Sequence, residues 1–347
     1  MEKRKSIPAA RKIGARAVKL AGCRHFTVVT FQEVTPMQTL ANLSDYDRGR
    51  MAQIGPVWGK DIQKNRDVVL DIYTPMLARS PKDGVRLTRN LPYGSHPRQV
   101  LDIFSPDSSI APMHGMAPGQ PRPVAVFVHG GAFVRGDKHV NDEIYDNVLW
   151  WLARHGVLGI NIEYRLANEA PFPGGAHDLH AAVQWLVANV AEFGGDARRI
   201  YPIGHSAGGA HVASWAFDPN IVAKPGAETR GLVIISGRVR ADTLPENPNA
   251  PGVRAYFGND ASLYEQRSPV IYADRCALPV LIAIAEFENP LLDVYAAELL
   301  YRLSLARRRA PRFVRMAGHN HTSIVAHFNT GEDLLGREIL DFIAAHP

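Results

Sequence analysis

The sequence has few cysteines, no long apolar run and no internal repeat. Its two cysteines, Cys23 and Cys276, lie far apart and outside any C-x-x-C pattern. This spacing argues against a disulfide framework and against a zinc site built on cysteine. No stretch reaches the roughly 18 apolar residues that a membrane-spanning helix needs. We therefore expect a soluble protein of a reducing, cytoplasmic compartment.

Acidic residues are scarce at the amino terminus. Residues 1–24 hold eight of the 39 Lys and Arg residues but only one of the 34 acidic residues. The formal net charge of +5 therefore belongs to this basic arm, and the rest of the chain is close to neutral. A basic arm can contact nucleic acid or an anionic membrane, but no nucleic-acid motif accompanies this one. Arg24 and His25 also interrupt the apolar core that a signal peptide needs. We expect no nucleic-acid partner, no stable membrane insertion and no export.

Apolar runs alternate with helical patterns from residue 124 onward. The predicted strands are 124–128, 157–163, 199–204, 231–236, 279–286 and 312–316, and the predicted helices are 141–154, 176–193, 207–218, 291–309 and 332–345. Such alternation predicts right-handed crossovers around a parallel sheet. Residues 85–104 add a predicted antiparallel pair at its start. Two regions, 1–84 and 237–276, fall outside the alternation and are predicted to contribute a cap.

The motif "GHSAG" at 204–208 lies between a predicted strand and a predicted helix. A G-x-S-x-G sequence in this setting forms a sharp turn that exposes its serine, and the small neighbours allow the turn to close. The helix that follows directs its positive dipole end toward the serine. We therefore predict that Ser206 is a nucleophile, although small residues at a turn also occur without catalysis.

A serine hydroxyl needs a base, and the base needs an acid that orients it. "MAGHNHTSI" (316–324) offers His319 and His321 as the base. We favour His321 and expect His319 to order the loop. The H-x-H pair could bind metal, but no HExxH motif or acidic ligand cluster lies beside it, so no metal site is predicted.

Three carboxylates compete for the role of orienting acid. "AEFENPLLD" (285–293) contains Glu286 at the end of a predicted strand, Glu288 on the following loop, and Asp293 inside the next helix. A loop carboxylate can reach an imidazole, so we favour Glu288.

Glycines after the strand at 124–128 suggest where an oxyanion would bind. In "HGGAF" (129–133) the small residues let backbone N–H groups approach a substrate oxygen. The N–H of Ala207, directly after Ser206, should join them. An ordinary glycine turn is the alternative interpretation. Phe133, Trp215 and Phe287 lie near these loops and are candidates both for the pocket wall and for the core.

Three segments, "FVHGGAFVRGDK" (127–138), "EYRLANEAPFPGGAHD" (163–178) and "FGGDARRIYPIGHSAGGAHVA" (193–213), resemble the α/β-hydrolase fold. More narrowly, they resemble hormone-sensitive-lipase-like esterases and their carboxylesterase and kynurenine-formamidase relatives. The resemblance covers about 85–345. It implies an eight-stranded, mostly parallel sheet and a catalytic domain over 85–347, preceded by an arm and cap segment over 1–84. It also implies acyl transfer without a cofactor.

The resemblance places Ser206 as the nucleophile, His321 as the base, and Gly131, Ala132 and Ala207 as oxyanion-hole donors. The acid segment departs from the family pattern, because "EFENP" puts Glu288 where the relatives carry aspartate. Three functions remain open on the sequence: hydrolysis of small carboxylic esters, hydrolysis of amides by an arylformamidase or amidase with the same triad, and non-catalytic ligand binding. A small-molecule ester or amide is the predicted partner, and a homodimer is possible on the sequence alone.

Overall fold

Eight strands form one sheet in the computed structural model, which describes residues 39–222 and 225–347. The strands are β1 (Val85–Pro92), β2 (Val100–Pro106), β3 (Arg122–Val128), β4 (Leu158–Ile162), β5 (Gly195–His205), β6 (Leu232–Ile235), β7 (Val280–Phe287) and β8 (Arg312–Asn320). Their order is β1-β2-β4-β3-β5-β6-β7-β8. β2 is antiparallel to both its neighbours, and the pairs from β4 to β8 are parallel. The predicted α/β fold and its leading antiparallel pair are confirmed.

Helices cover both faces of the sheet. They are α1 (Asp45–Ile54), α2 (Ile62–Ala78), α3 (Asp146–Arg154), α4 (Gly174–Asn189), α5 (Ala207–Phe217), α6 (Ala250–Phe257), α7 (Tyr264–Arg267), α8 (Leu292–Arg307), α9 (Ser323–Ala326) and α10 (Leu334–Ala345). Successive strand residues point to opposite faces. Phe127 therefore packs in the core beneath α2, α3 and α10, whereas Val126 packs in the core beneath α4, α5 and α8. Both faces of the central strands are thus buried, as parallel sheets require.

Helix α3 begins later than the sequence predicts. The prediction of a helix from residue 141 is wrong, because residues 141–145 form a turn. The Asn141 side chain accepts hydrogen bonds from the amides of Glu143 (3.0 Å) and Ile144 (2.9 Å). Tyr145 then adopts a φ of 85°, a left-handed conformation that a helix cannot contain. The helix therefore starts at Asp146, and Tyr145 lies near Ser206.

Strand β8 continues four residues beyond the predicted end at residue 316. The pairing of β7 with β8 shifts between Ala285 and Phe287, so that Phe287 pairs with Asn320. Gly318 has a φ of 73° within this irregular stretch. The irregular stretch carries the chain to His321 next to the end of β7.

The described residues belong to one compact unit. The Trp58 indole donates to Asn289 Oδ1 at 2.8 Å and so attaches the segment before α2 to the loop after β7. In the insertion at 237–276, Tyr256 of α6 stacks on Phe133 with 4.7 Å between ring centroids. The division of the chain at residue 84 stays a prediction, and the basic arm lies outside the described residues. Within the described part of the chain, every helix is too short or too polar to cross a membrane.

Candidate active site

Ser206 occupies the sharp turn between β5 and α5. Its φ of 57° and ψ of −117° are rarely adopted by an L-residue. A Cβ on Gly204 would lie 2.5 Å from the Gly208 carbonyl oxygen, and one on Gly208 would lie 2.0 Å from the Val128 carbonyl oxygen. Only glycine fits at these two positions, because the end of β5 lies against the first turn of α5 and that turn lies against the end of β3. The turn therefore fixes the serine hydroxyl at the carboxyl edge of the sheet.

His321 and Glu288 complete a hydrogen-bonded chain with Ser206. His321 Nε2 lies 3.0 Å from Ser206 Oγ, and His321 Nδ1 lies 2.7 Å from Glu288 Oε2. The side chains of His321 and Glu288 are 8% and 3% exposed. The amide of His321 also donates to the Phe287 carbonyl at 3.1 Å, which holds the two loops together. Removal from water strengthens hydrogen bonds of this kind, so the imidazole is held in one orientation.

The Glu288 carboxylate has two further partners. Its Oε1 accepts a short hydrogen bond from the Ser236 hydroxyl and a bond of 2.8 Å from the Ala285 amide. These donors leave Oε2 for His321. Ser236 is not among the residues predicted for the site. Its place directly after β6 was the available signal, because the carboxyl ends of neighbouring parallel strands meet at one edge of the sheet.

The competing candidates lie elsewhere and have other partners. Glu286 accepts from the Gly318 amide at 2.7 Å and pairs with Arg315. Asp293 is exposed and accepts from the Val294 amide at the start of α8.

His319 is fully buried and forms a separate pair. Its Nε2 lies 2.9 Å from Glu332 Oε1, and its Nδ1 lies 3.1 Å from Ser323 Oγ. Burial tends to raise the pKa of Glu332, but the hydrogen bond from His319 holds this pKa below its usual value. Glu332 also accepts from the Leu40 amide at 3.0 Å. The His319–Glu332 pair therefore connects the loop that carries His321 to Leu40, which precedes α1.

A second buried histidine supports the loop from below. His205 Nε2 lies 3.0 Å from the His321 carbonyl oxygen, and its Nδ1 lies 3.4 Å from the Tyr145 hydroxyl. Burial lowers the pKa of His205 far below its usual value, so its ring is neutral. Nε2 must then carry the proton that it donates to the carbonyl. Tyr145 belongs to no motif that the sequence offers, and it falls inside the helix predicted over 141–154.

The segment after β3 faces the same cavity as Ser206. Gly131 has a φ of 146°, and a Cβ there would lie 1.8 Å from the Arg135 carbonyl oxygen. Ala132 also has a positive φ, of 51°. Among the described residues, no protein atom accepts a hydrogen bond from the amides of Gly131 or Ala132. Ala207 is the first residue of α5, where an amide has no partner inside the helix.

His129 anchors this segment from the buried side. Its Nε2 lies 2.9 Å from Glu163 Oε1. Burial tends to raise the pKa of Glu163, but the hydrogen bond from His129 and its neighbours lower this pKa to about 2. The Glu163 carboxylate also accepts from the Lys138 amide at 2.8 Å. The loop after β3 is thereby fixed at both ends.

The cavity above Ser206 has a volume of about 430 Å³. Its wall comes from α2, the loop after β3, the turn before α3, the insertion and the loops after β7 and β8, and it includes Ile62, Gln63, Arg66, Gly131, Ala132, Arg135, Tyr145, Asn249, Asn289 and Thr322. Of the two alternatives for Phe133, Trp215 and Phe287, pocket wall or core, the structure supports the core, because none of the three lines this cavity. Phe133 and Trp215 are core residues at 1% exposure, and Phe287 packs against Gly55.

One group of side chains, which shares only His139 with the wall of the Ser206 cavity, has the composition of a metal site. Asp102, His139 and Asp146 bring their ligand atoms within 4.8 Å of one another. Arg89 donates to Asp102 at 2.7 Å and to Asp146 at 2.6 Å, and Lys138 donates to Asp102 at 2.7 Å. These cations already compensate the carboxylates, so we interpret the group as an ion-pair network.

We expect the ion-pair network to stabilise the folded protein less at alkaline pH. Hydrogen bonds to Asp102 and Asp146 raise the pKa of His139 to about 9, whereas histidine in an unfolded chain titrates near 6.5. A raised pKa stabilises the fold fully below pH ~6.5, and this contribution is lost as pH rises through ~9. We expect the difference in melting temperature between wild type and His139→Gln to shrink over that range. Exposed His177→Gln is the control, and a difference independent of pH would contradict the prediction.

The sheet and its helices have the α/β-hydrolase fold, and this fold brings Ser206, His321 and Glu288 into one hydrogen-bonded chain. The profile of the family described as BD-FAE matches residues 111–219. Esterase LipC of Mycobacterium tuberculosis is 28% identical over 67% of this chain and 59% of its own length. Carboxylesterase NlhH of the same species is 39% identical over 25% of this chain and 26% of its own. The chain thus covers less than two thirds of these relatives.

Solved structures agree on the fold. Esterase B of Lactobacillus rhamnosis aligns with a TM-score of 0.62 at 16% identity, over 87% of this chain and 96% of its own. The hyperthermophilic esterase of Pyrobaculum calidifontis aligns with a TM-score of 0.60 at 23% identity, over 87% and 97%. The chain therefore has the α/β-hydrolase fold.

Proposed function

We propose that the protein is a serine hydrolase of small carboxylic esters. The observation that carries this proposal is the continuous hydrogen-bonded chain from Glu288 through His321 to Ser206, open to a cavity of about 430 Å³. That volume lies in the range of small-molecule sites. The esterase and lipase relatives support the same reaction class.

In the proposed mechanism, Ser206 Oγ attacks the ester carbonyl carbon while His321 Nε2 takes the hydroxyl proton. The negative charge that develops on the carbonyl oxygen is stabilised by the amides of Gly131, Ala132 and Ala207. His321 then gives the proton to the leaving alcohol, and an acyl group remains on Ser206. Water, deprotonated by His321, attacks this acyl-enzyme and releases the acid. Glu288 holds the Nδ1–H of His321 throughout and stabilises the imidazolium.

Covalent labelling and a matched substrate panel test the proposal. A fluorophosphonate should label the native protein at Ser206, as located by peptide mass spectrometry, and should not label heat-denatured protein. The panel contains p-nitrophenyl acetate, butyrate and octanoate beside N-formylkynurenine and an acyl anilide. Ester turnover above amide turnover is the expected result. Amide or formamide turnover that equals the ester rate would support the amidase alternative. Absence of both labelling and turnover would favour a ligand-binding role.

A further inference from the structure

Arg66 is a half-buried cation on the wall of the Ser206 cavity. It lies on α2, one turn after Ile62 and Gln63, which line the same wall because residues four and three apart share a helix face. Among the described residues, no carboxylate lies within salt-bridge distance of its guanidinium and no atom accepts a hydrogen bond from it. A partly buried arginine without a partner is uncommon, because desolvated charges are normally paired.

The charge of Arg66 reaches the groups around Ser206. Burial raises the pKa of Tyr145, and the positive charge of Arg66 opposes this rise. For His205, burial lowers the pKa, and the positive charge of Arg66 lowers it further. The positive charge of Arg66 therefore influences Tyr145 and His205, which line the cavity beside Ser206.

The other charges on the wall do not neutralise Arg66. Arg135 is exposed and makes one weak contact, 3.5 Å to Asn249 Oδ1. His139 is paired with Asp102 and Asp146. Asp137 is the one carboxylate that lines the cavity within the described part of the chain, and it is exposed and outside salt-bridge distance of Arg66. The cavity therefore carries an excess of positive charge beside the nucleophile.

We propose that the ester substrate carries a carboxylate, and that Arg66 binds it through its guanidinium. This inference rests on the proposed function. One unpaired guanidinium matches one monoanion, and its planar fork suits the two oxygens of a carboxylate. The carboxylate belongs either to the acyl part, as in a half-ester of a dicarboxylic acid, or to the alcohol part, as in an acylated hydroxy acid. Arg66 is then a specificity-determining residue on the cap side, while Ser206 and His321 perform the chemistry.

Isosteric substrate pairs test the inference directly. The acyl arm compares the monomethyl esters of succinate, glutarate and adipate with the methyl esters of the corresponding monoamides. The alcohol arm compares 4-acetoxybutanoate with 4-acetoxybutanamide. Each pair differs in charge but hardly in size, and release of acid is followed by pH-stat titration. We expect wild type to favour the carboxylate member in at least one arm by about 10-fold or more in kcat/KM.

Variants of Arg66 separate recognition from folding. Arg66→Gln should remove the preference mainly through KM, and Arg66→Lys should retain part of it, with the preference measured as the ratio of kcat/KM between the two members of each pair. Lys64→Gln, which removes an exposed cation from the same helix, is the matched control and should leave the preference intact. Because an unpaired cation costs desolvation energy, Arg66→Gln should melt at or above the wild-type temperature.

Two results would overturn the inference while leaving the proposed function in place. One is hydrolysis of p-nitrophenyl acetate by an enzyme that shows no preference for the carboxylate member of any pair. The other is an equal loss on both members of a pair in Arg66→Gln. Failure of both fluorophosphonate labelling and p-nitrophenyl acetate hydrolysis would instead remove the proposed function and this inference with it.

Discussion

Replacement of Ser206 by alanine is expected to lower kcat for p-nitrophenyl butyrate by about 10⁴-fold or more, with the protein still folded. The substitution removes the only oxygen at 3.0 Å from His321 Nε2 among the described residues, so no acyl-enzyme can form. Alanine keeps a Cβ and therefore keeps the unfavourable φ of 57°. Initial rates, together with the melting temperature, measure the two effects separately.

Two companion variants make this test specific. Ser214→Ala changes a buried serine further along α5 and should retain wild-type turnover. Ser206→Gly should be as inactive as Ser206→Ala but more stable by about 1 kcal/mol or more, because glycine adopts a positive φ without steric cost. Wild-type ester turnover by Ser206→Ala would refute the proposed mechanism. Equal stability of the alanine and glycine variants would show that the turn is not strained.

The parts of the fold that depend on local pattern could be predicted from the sequence. Short β-branched runs between helices predict a parallel sheet, since each strand is buried on both faces. The turn at Ser206 was equally predictable, because two glycines flank a serine between a strand and a helix. Helix α3 was predicted too long, since its start depends on the Asn141 side chain, whose hydrogen bonds hold residues 141–145 in a turn.

The parts that depend on distant segments could not be predicted in the same way. Strand β8 extends through Gly318 because it pairs with β7 across an irregular register, and this pairing brings His321 beside Glu288. Ser236 contributes only because β6 and β7 are neighbours. Arg66 lies in a region for which the sequence predicts only a cap. Its position on the cavity wall follows from the packing of α2 over the loops, and no motif encodes it.

Replacement of Glu288 by glutamine is expected to lower kcat by about 10²- to 10⁴-fold, with less effect on KM. An amide of the same shape carries no charge to stabilise the imidazolium that forms when Ser206 loses its proton. It can also present an N–H to His321 Nδ1, which would favour the wrong tautomer. The stability of the Glu288→Gln variant should fall as well. The hydrogen bonds from Ser236 and the Ala285 amide would then go to a neutral amide oxygen instead of a charged carboxylate. Kinetics on p-nitrophenyl butyrate and thermal unfolding check these two outcomes.

Three further variants distinguish loss of the carboxylate that orients His321 from general damage to the structure. Glu288→Asp should lose less activity than Glu288→Gln, because the charge remains although the carboxylate is withdrawn by one methylene. Ser236→Ala removes a donor to Oε1 without touching Oε2, and a loss of about 10-fold or less is expected. Glu286→Gln, a matched change two residues away, should lie within a factor of about two of wild type, since Glu286 pairs with Arg315 and the Gly318 amide. A larger loss of kcat in Glu286→Gln than in Glu288→Gln would reassign the acid. The distance of 2.7 Å between Glu288 and His321 would then describe packing and not catalysis.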